Sequence, residues 1–193
     1  MATTDEIKKL RDQTGVSVMQ CKKALEEAGG DMEKAIVILR KIAAAGAGKK
    51  SDRALGAGVA AAYTHAGGQV VAAVILGCET DFVARNPDFQ TMARDIAMHV
   101  AAMQPQFIMR EQVKEEDTKA AREVFEKDAA TVKEDMRAKV VEGKIDAYLK
   151  EKVLLEQPFV KNGDITIRQL VESGIQKFGE KIEVVRMERL SVK

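Results

Sequence analysis

The apolar run Val70 to Gly77 reads as a β-strand, and ten residues past its end the chain turns into Pro87-Asp88-Phe89, the first turn of a helix. Between them lies Cys78-Glu79-Thr80-Asp81-Phe82-Val83-Ala84-Arg85-Asn86. A strand end, a turn and a helix start meeting in so few residues place side chains at a surface. Thr80 is suited to cap a short helical turn, with Asp81 at its positive end. Phe82 then puts a large ring beside a carboxylate, in a chain with six Phe and no Trp. Taken alone, Phe82 reads as local core and Asp81 as a second cap, because most phenylalanines are buried.

Val59 to Thr64 precedes that strand across Ala66-Gly67-Gly68, which has the chemistry of a hairpin turn. Near the other end, Ile182 to Val192 alternates apolar and charged residues and reads as a third strand with one solvated face. The expected core is an antiparallel three-stranded sheet covered by helices, with one face or edge left for a partner. The segments that form it lie more than 100 residues apart, so both must be in place for either to be stable.

Ahead of the sheet, three short helices are expected. Thr3 and Glu6 have capping-box spacing, and Ile7 and Leu10 share one face of a helix that ends before Gly15. Val18, Cys21, Ala24, Leu25 and Ala28 recur at helical spacing in a second helix, stopped by Gly29-Gly30. Asp31 caps a third, lined by Met32, Ala35, Ile36, Leu39 and Ile42. By this periodicity Val18 is core, and Met19, one step off the stripe, is exposed. The class is α+β: a three-helix domain over 1–45, a flexible linker over 46–56 rich in Gly and small residues, and an α+β core domain over 57–193. Gly48-Lys49-Lys50-Ser51 lacks the first glycine and the preceding strand of a phosphate-binding loop, so it belongs to the linker.

Asn86 caps a helix with Pro87 at its first position, running to about Met103, with Met92, Ile96, His99 and Met103 on one side. His99 is expected there as a half-buried, hydrogen-bonded imidazole. From Glu111 to Lys152 the chain alternates Lys and Glu around an intermittent apolar stripe, the pattern of solvated helices, and Gly143 is expected to break it into a hairpin over the sheet. Pro158 stops the helical region, and Phe159 is placed to plug the core. Thr166 and Gln169 form a second capping box, opening a helix that Gly179 closes.

The totals exclude several classes. Charged residues are 32%, yet the net charge is +1, so the basic excess of a general nucleic-acid binder is missing. Aromatics at 4% offer few platforms for stacking bases. No run approaches the length of a membrane span, and Met1 to Leu10 has no signal-like apolar stretch. Cys21 and Cys78 have no motif spacing and, with His65 and His99, make no evident metal site, so neither metal nor cofactor is expected. No hydrolase, zinc-protease or dinucleotide motif is present, and a non-enzymatic, cytoplasmic protein is expected.

CETDFVARN resembles the signature of the elongation factor Ts family, which exchanges guanine nucleotide on elongation factor Tu. TGVSVMQCKKALEEAGGDMEKAI resembles that family's opening, although Val18 and Gln20 stand where it usually has a methionine and an acidic residue. LLEQPFVK, Leu154 to Lys161, and KFGEKIEVVR match in the same order, so the likeness runs from Asp5 to Val192. The resemblance implies that the three helices form a ubiquitin-associated-type (UBA-like) module. Arg11, Val18 and Met19 would dock on the partner's nucleotide-binding domain. Thr80, Asp81, Phe82 and Val83 would dislocate its magnesium, and His99 would add a contact from the core. It also implies a short form without an inserted coiled-coil arm, acting as a homodimer that serves two partner molecules. The alternative is a protein-interaction adaptor acting through the three-helix module.

Overall fold

A computed structural model of the chain describes residues 2–192. Three helices open it: α1 (Thr4–Thr14), α2 (Val18–Glu27) and α3 (Met32–Gly48). Each start is capped as the residues dictate. Thr3 and Glu6 exchange side-chain and backbone hydrogen bonds, Ser17 accepts from the Gln20 N–H, and Asp31 accepts from the Lys34 N–H. Gly15 ends α1 in the left-handed region at φ 67°. Leu10, Val16, Cys21, Ala24, Leu25, Ala35 and Leu39 form one buried cluster.

Two expectations for this part are corrected. Val18 is exposed, and Val16, in the turn before α2, folds back to fill the core instead. A stripe read within α2 has no means of finding a residue outside it. The segment expected to be linker from residue 46 is helical through Gly48. There Ala47 packs on the main core, and α3 lies along the later helix α8 (Ile167–Phe178). Of these small residues Ala47 is the one held by packing, while a Cβ on Gly46 or Gly48 would meet nothing within 4 Å.

The sheet is β1 (Ala57–His65), β2 (Val70–Cys78) and β5 (Glu183–Ser191) in the antiparallel order β1-β2-β5. Ala57 pairs with Cys78 and His65 with Val70 on one side of β2, and Val70 pairs with Ser191 on the other. A bulge at Ile75/Leu76 shifts the β2–β5 register. Ala72, Val74, Leu76 and Cys78 face inward against α5 (Pro87–Met103) and share the main core with Phe89, Ile96, Val100, Ile167 and Val184. The opposite face is open. Ala60, Ile75 and Arg186 form one cross-strand row, and Ala62, Ala73 and Glu188 the next, all exposed. Ile75 at 40% and Leu190 at 70% accessible are the largest apolar residues on it.

The charged middle region departs from expectation in its break point and its packing. It forms α6 (Glu115–Asp128) and α7 (Glu134–Lys152), divided at Ala129–Thr131, while Gly143 lies inside α7. The two helices bury Ala129, Val141, Ile145 and Leu149 between themselves and meet the Leu154–Glu156 turn rather than covering the sheet. The short-form resemblance implied no arm, yet this hairpin has an apolar cluster of its own. Arg110 fastens its base, donating to both oxygens of Glu156 at 2.6 Å and pairing with Asp146 at 2.7 Å. Beyond it, β3 (Pro158–Phe159) and β4 (Asn162–Thr166) form a small hairpin that the sequence reading did not include.

Candidate functional site

Past Cys78 the chain leaves β2 and makes one helical turn, α4 (Asp81–Ala84). Adjacent side chains on so short a turn point in different directions, and the pattern here is sharp. Val83 and Ala84 are 3% and 8% accessible and belong to the main core. Phe82 is 82% accessible. Asp81 lies beside it, paired at 3.4 Å with Arg85, and both are well exposed. Asp81, Phe82, Arg85, Asn86 and Pro87 border a shallow open concavity. An apolar ring left in water costs solvation free energy that its burial against another surface would recover.

The roles expected within this turn divide accordingly. Asp81 and Phe82 are presented outward. Val83, expected among the partner contacts, is an anchor packed beneath them. Thr80 occupies the cap position, but its hydroxyl does not cap: it donates at 2.6 Å to Glu180. Glu180 also accepts the N–H groups of Glu79 and Thr80, each at 3.0 Å. Glu180 was absent from the expected site because it lies about a hundred positions away in sequence, with no local signal to mark it.

Glu79 is held on the other side. Its carboxylate accepts from the Lys181 N–H and from Arg53 at 3.1 Å. These interactions, the Lys181 N–H foremost, hold the Glu79 carboxyl below its ordinary range. Beneath the turn, burial and then the nearby Glu180 push the Cys78 thiol up, and its Sγ donates to the Thr80 carbonyl. It is therefore a packed, protonated thiol rather than a nucleophile.

His99 is not available to a partner. It is fully buried on α5. The Val160 N–H donates to its Nδ1 at 3.2 Å, so Nε2 carries the proton and donates to Gln157 Oε1 at 2.9 Å. Burial lowers its pKa, and the imidazole is neutral. Its contact ties α5 to the Leu154–Val160 segment, a structural role for a residue expected at the interface.

In the N-terminal helices, Arg11, Val18 and Met19 are all exposed, Met19 at 74%. Val18 and Met19 open α2 and form the apolar part of that surface. Among the described residues, no group of three or more His, Cys, Asp or Glu side chains is arranged to hold a metal ion. Among them, too, no helix is long and apolar enough to cross a membrane.

Comparison with known proteins agrees with the strings quoted above. Residues 37–193 match the family model described as elongation factor TS. The chain is 45% identical to elongation factor Ts of Carboxydothermus hydrogenoformans over 194 aligned positions, covering 100% of this chain and 89% of that protein. It is 45% identical to elongation factor Ts of Desulforamulus reducens over 185 positions, covering 95% and 85% respectively. For elongation factor Ts of Heliobacterium modesticaldum the identity is 42% over 194 positions, with 100% and 90% covered. An outward phenylalanine on a core-anchored turn, an apolar helix start in the N-terminal module and full-length similarity of this extent lead to one assignment: the chain belongs to the elongation factor Ts family.

Proposed function

We propose that this protein is a guanine-nucleotide exchange factor that binds elongation factor Tu carrying GDP, disturbs its magnesium site and promotes GDP release. The observation that carries the reading is Phe82, solvent-exposed on a turn whose neighbours Val83 and Ala84 are locked in the core. Phe82 acts as a wedge and Asp81 as the charge beside it. The UBA-like module, residues 1–45, grips the nucleotide-binding domain through Arg11, Val18 and Met19. The core, 57–193, presents the wedge. The factor transforms no substrate and is not an enzyme. It works by binding the nucleotide-free partner more tightly than the GDP form, and by linkage GDP weakens its own binding to the same degree. It acts in the cytoplasm without contacting nucleic acid or membrane.

The open sheet face supports a homodimer. A two-fold axis would lay Ile75 and Leu190 of one copy on those of the other. Arg186 and Glu188, 3.1 Å apart on the same face, would become a self-complementary pair of charges. Two factors would then serve two partner molecules.

The test is release of a fluorescent GDP analogue from elongation factor Tu with and without the protein. Burying one phenylalanine is worth ~1.5–3 kcal/mol, about ten- to a hundredfold in rate, so an acceleration of at least that size is expected. An unchanged release rate overturns the reading. The exposed Val18 and Met19 also suit a plain adaptor, and capture of a partner other than a translational GTPase through them would favour that role.

A further inference from the structure

Three loops meet at the base of the Phe82 turn. The chain before β1 contributes Arg53 and Gly56. The end of β2 contributes Cys78, Glu79 and Thr80. The link between α8 and β5 contributes Glu180 and Lys181. Gly179 ends α8 in the left-handed region at φ 75°, and Glu183 pairs with Gly77 across the sheet. That turn and that register bring Glu180 and Lys181 alongside Glu79 and Thr80.

The contacts are crossed. The Glu180 side chain accepts the backbone N–H of Glu79 and Thr80, both at 3.0 Å, and the Thr80 hydroxyl at 2.6 Å. The Glu79 side chain accepts the backbone N–H of Lys181. The carboxylate in each half of the clasp satisfies backbone donors of the other half, using charge-assisted hydrogen bonds, which are stronger than neutral ones. Arg53 adds two contacts to Glu79, at 3.1 and 3.4 Å, and the Gly56 N–H donates to the Cys78 carbonyl at 3.1 Å. The connection from the three-helix module is thereby fastened to the segment that carries Phe82.

We propose that Glu180 is a positioning residue for Phe82, holding residues 79 and 80 so that the ring projects in one direction. The inference rests on the exchange reading above. A wedge transmits force only if its base cannot swing. Val83 and Ala84 fix the C-terminal side of the turn by packing, but Thr80 and Asp81 are exposed, and from the core Thr80 receives the weak hydrogen bond of the Cys78 thiol to its carbonyl. Glu180 supplies the restraint on that side. Without it the turn must be ordered during docking, and the conformational entropy of that ordering is subtracted from the binding that drives GDP out.

The experiment compares the parent with Glu180→Ala, Glu180→Gln, Phe82→Ala and the double variant Glu180→Ala/Phe82→Ala, in GDP-analogue release at saturating factor. Glutamine keeps a carbonyl oxygen for both N–H groups, and the Thr80 hydroxyl can reverse to accept from its amide. Glu180→Gln should therefore stay close to the parent. Glu180→Ala should lose about three- to tenfold, the size of one net hydrogen bond in a rate. The double variant should be no slower than Phe82→Ala, because Glu180 acts only through the ring. Where the parent accelerates release, a Glu180→Ala rate equal to the parent's overturns the proposal. So does a loss that adds in full on the Phe82→Ala background, which would mark a general structural role. Amide hydrogen exchange of Glu79 and Thr80 gives an arm independent of activity. Faster exchange in Glu180→Ala supports the restraint even if the parent leaves GDP release unaltered, in which case only the exchange reading falls. Unchanged protection of the two amides overturns the restraint whatever the rates.

Discussion

Phe82 and Val83 are neighbours in sequence and opposites in environment: the ring is 82% accessible, the valine 3%. Their substitutions should separate function from stability. Phe82→Ala removes no core contact and should shift unfolding free energy by less than about 0.5 kcal/mol. It should still slow stimulated GDP release by about ten- to a hundredfold. Val83→Ala deletes two buried methyl groups and should cost about 1.5–2.5 kcal/mol in urea unfolding, including the cavity left behind. At temperatures where it stays folded, its exchange rate should suffer less than that of Phe82→Ala. The opposite ranking in the two assays would mean the turn is inverted in the working complex.

What the sequence made legible was local or periodic. Thr3 with Glu6, Asn86 with Pro87 and Thr166 with Gln169 marked helix starts that the structure keeps, because caps act over three or four residues. Ala66-Gly67-Gly68 marked the hairpin, and alternation marked the last strand. What escaped was set by tertiary partners. Gly143 carries a helix-breaking propensity of about 1 kcal/mol, which packing of Val141 and Ile145 against α6 outweighs. Val16 displaced Val18 from the core because the turn before α2 folds inward. The Glu180 clasp joins positions about a hundred residues apart, and only the β2–β5 register brings them together.

His99 should make stability depend on pH in one window. Its pKa in the folded chain lies below the ordinary 6.5, because burial disfavours the charged ring. Well above pH 6.5, by about one unit or more, the ring is neutral in folded and unfolded chains and contributes no pH dependence. As the pH falls below 6.5 the unfolded chain takes up a proton that the folded chain refuses, so stability is lost until the folded pKa is reached. The slope is at most about 1.4 kcal/mol per pH unit. Urea unfolding of the parent and of His99→Gln between about pH 7.5 and about pH 5 should show a steeper fall for the parent. Parallel curves would place the proton elsewhere.

The sheet face makes a separate prediction. Ile75 and Leu190 lie on its exposed side, with Arg186 and Glu188 among them. If that face joins two copies, Ile75→Glu with Leu190→Glu puts like charges across the two-fold axis and strands them without water. Sedimentation should then show a dimeric parent and a monomeric variant, with the circular dichroism of both alike, since neither residue is in the core. A parent that sediments as a monomer, or a variant that remains dimeric, rules out this face as the dimer contact.

Two glycines should respond to alanine with opposite signs. Gly58 lies on β1 opposite Gly77, and a Cβ there would stand 2.6 Å from the Leu76 carbonyl oxygen and 3.1 Å from the Gly77 Cα. Both neighbours are backbone in the central strand, so neither can rotate away. Gly58→Ala must therefore push β1 from β2, at a cost of about 1–3 kcal/mol for an overpacked site. Gly143 is exposed inside α7, with nothing within 4 Å of the position a Cβ would take. Gly143→Ala should stabilise α7 by about 0.5–1 kcal/mol, by restricting the unfolded chain and improving helix propensity. Because α6 and α7 bury a cluster of their own, the gain should appear as slower amide exchange within the hairpin, while the amides of β2 respond only to Gly58→Ala. A gain at Gly58, or a loss at Gly143, would contradict the strand approach in the first case and the uninterrupted course of α7 in the second.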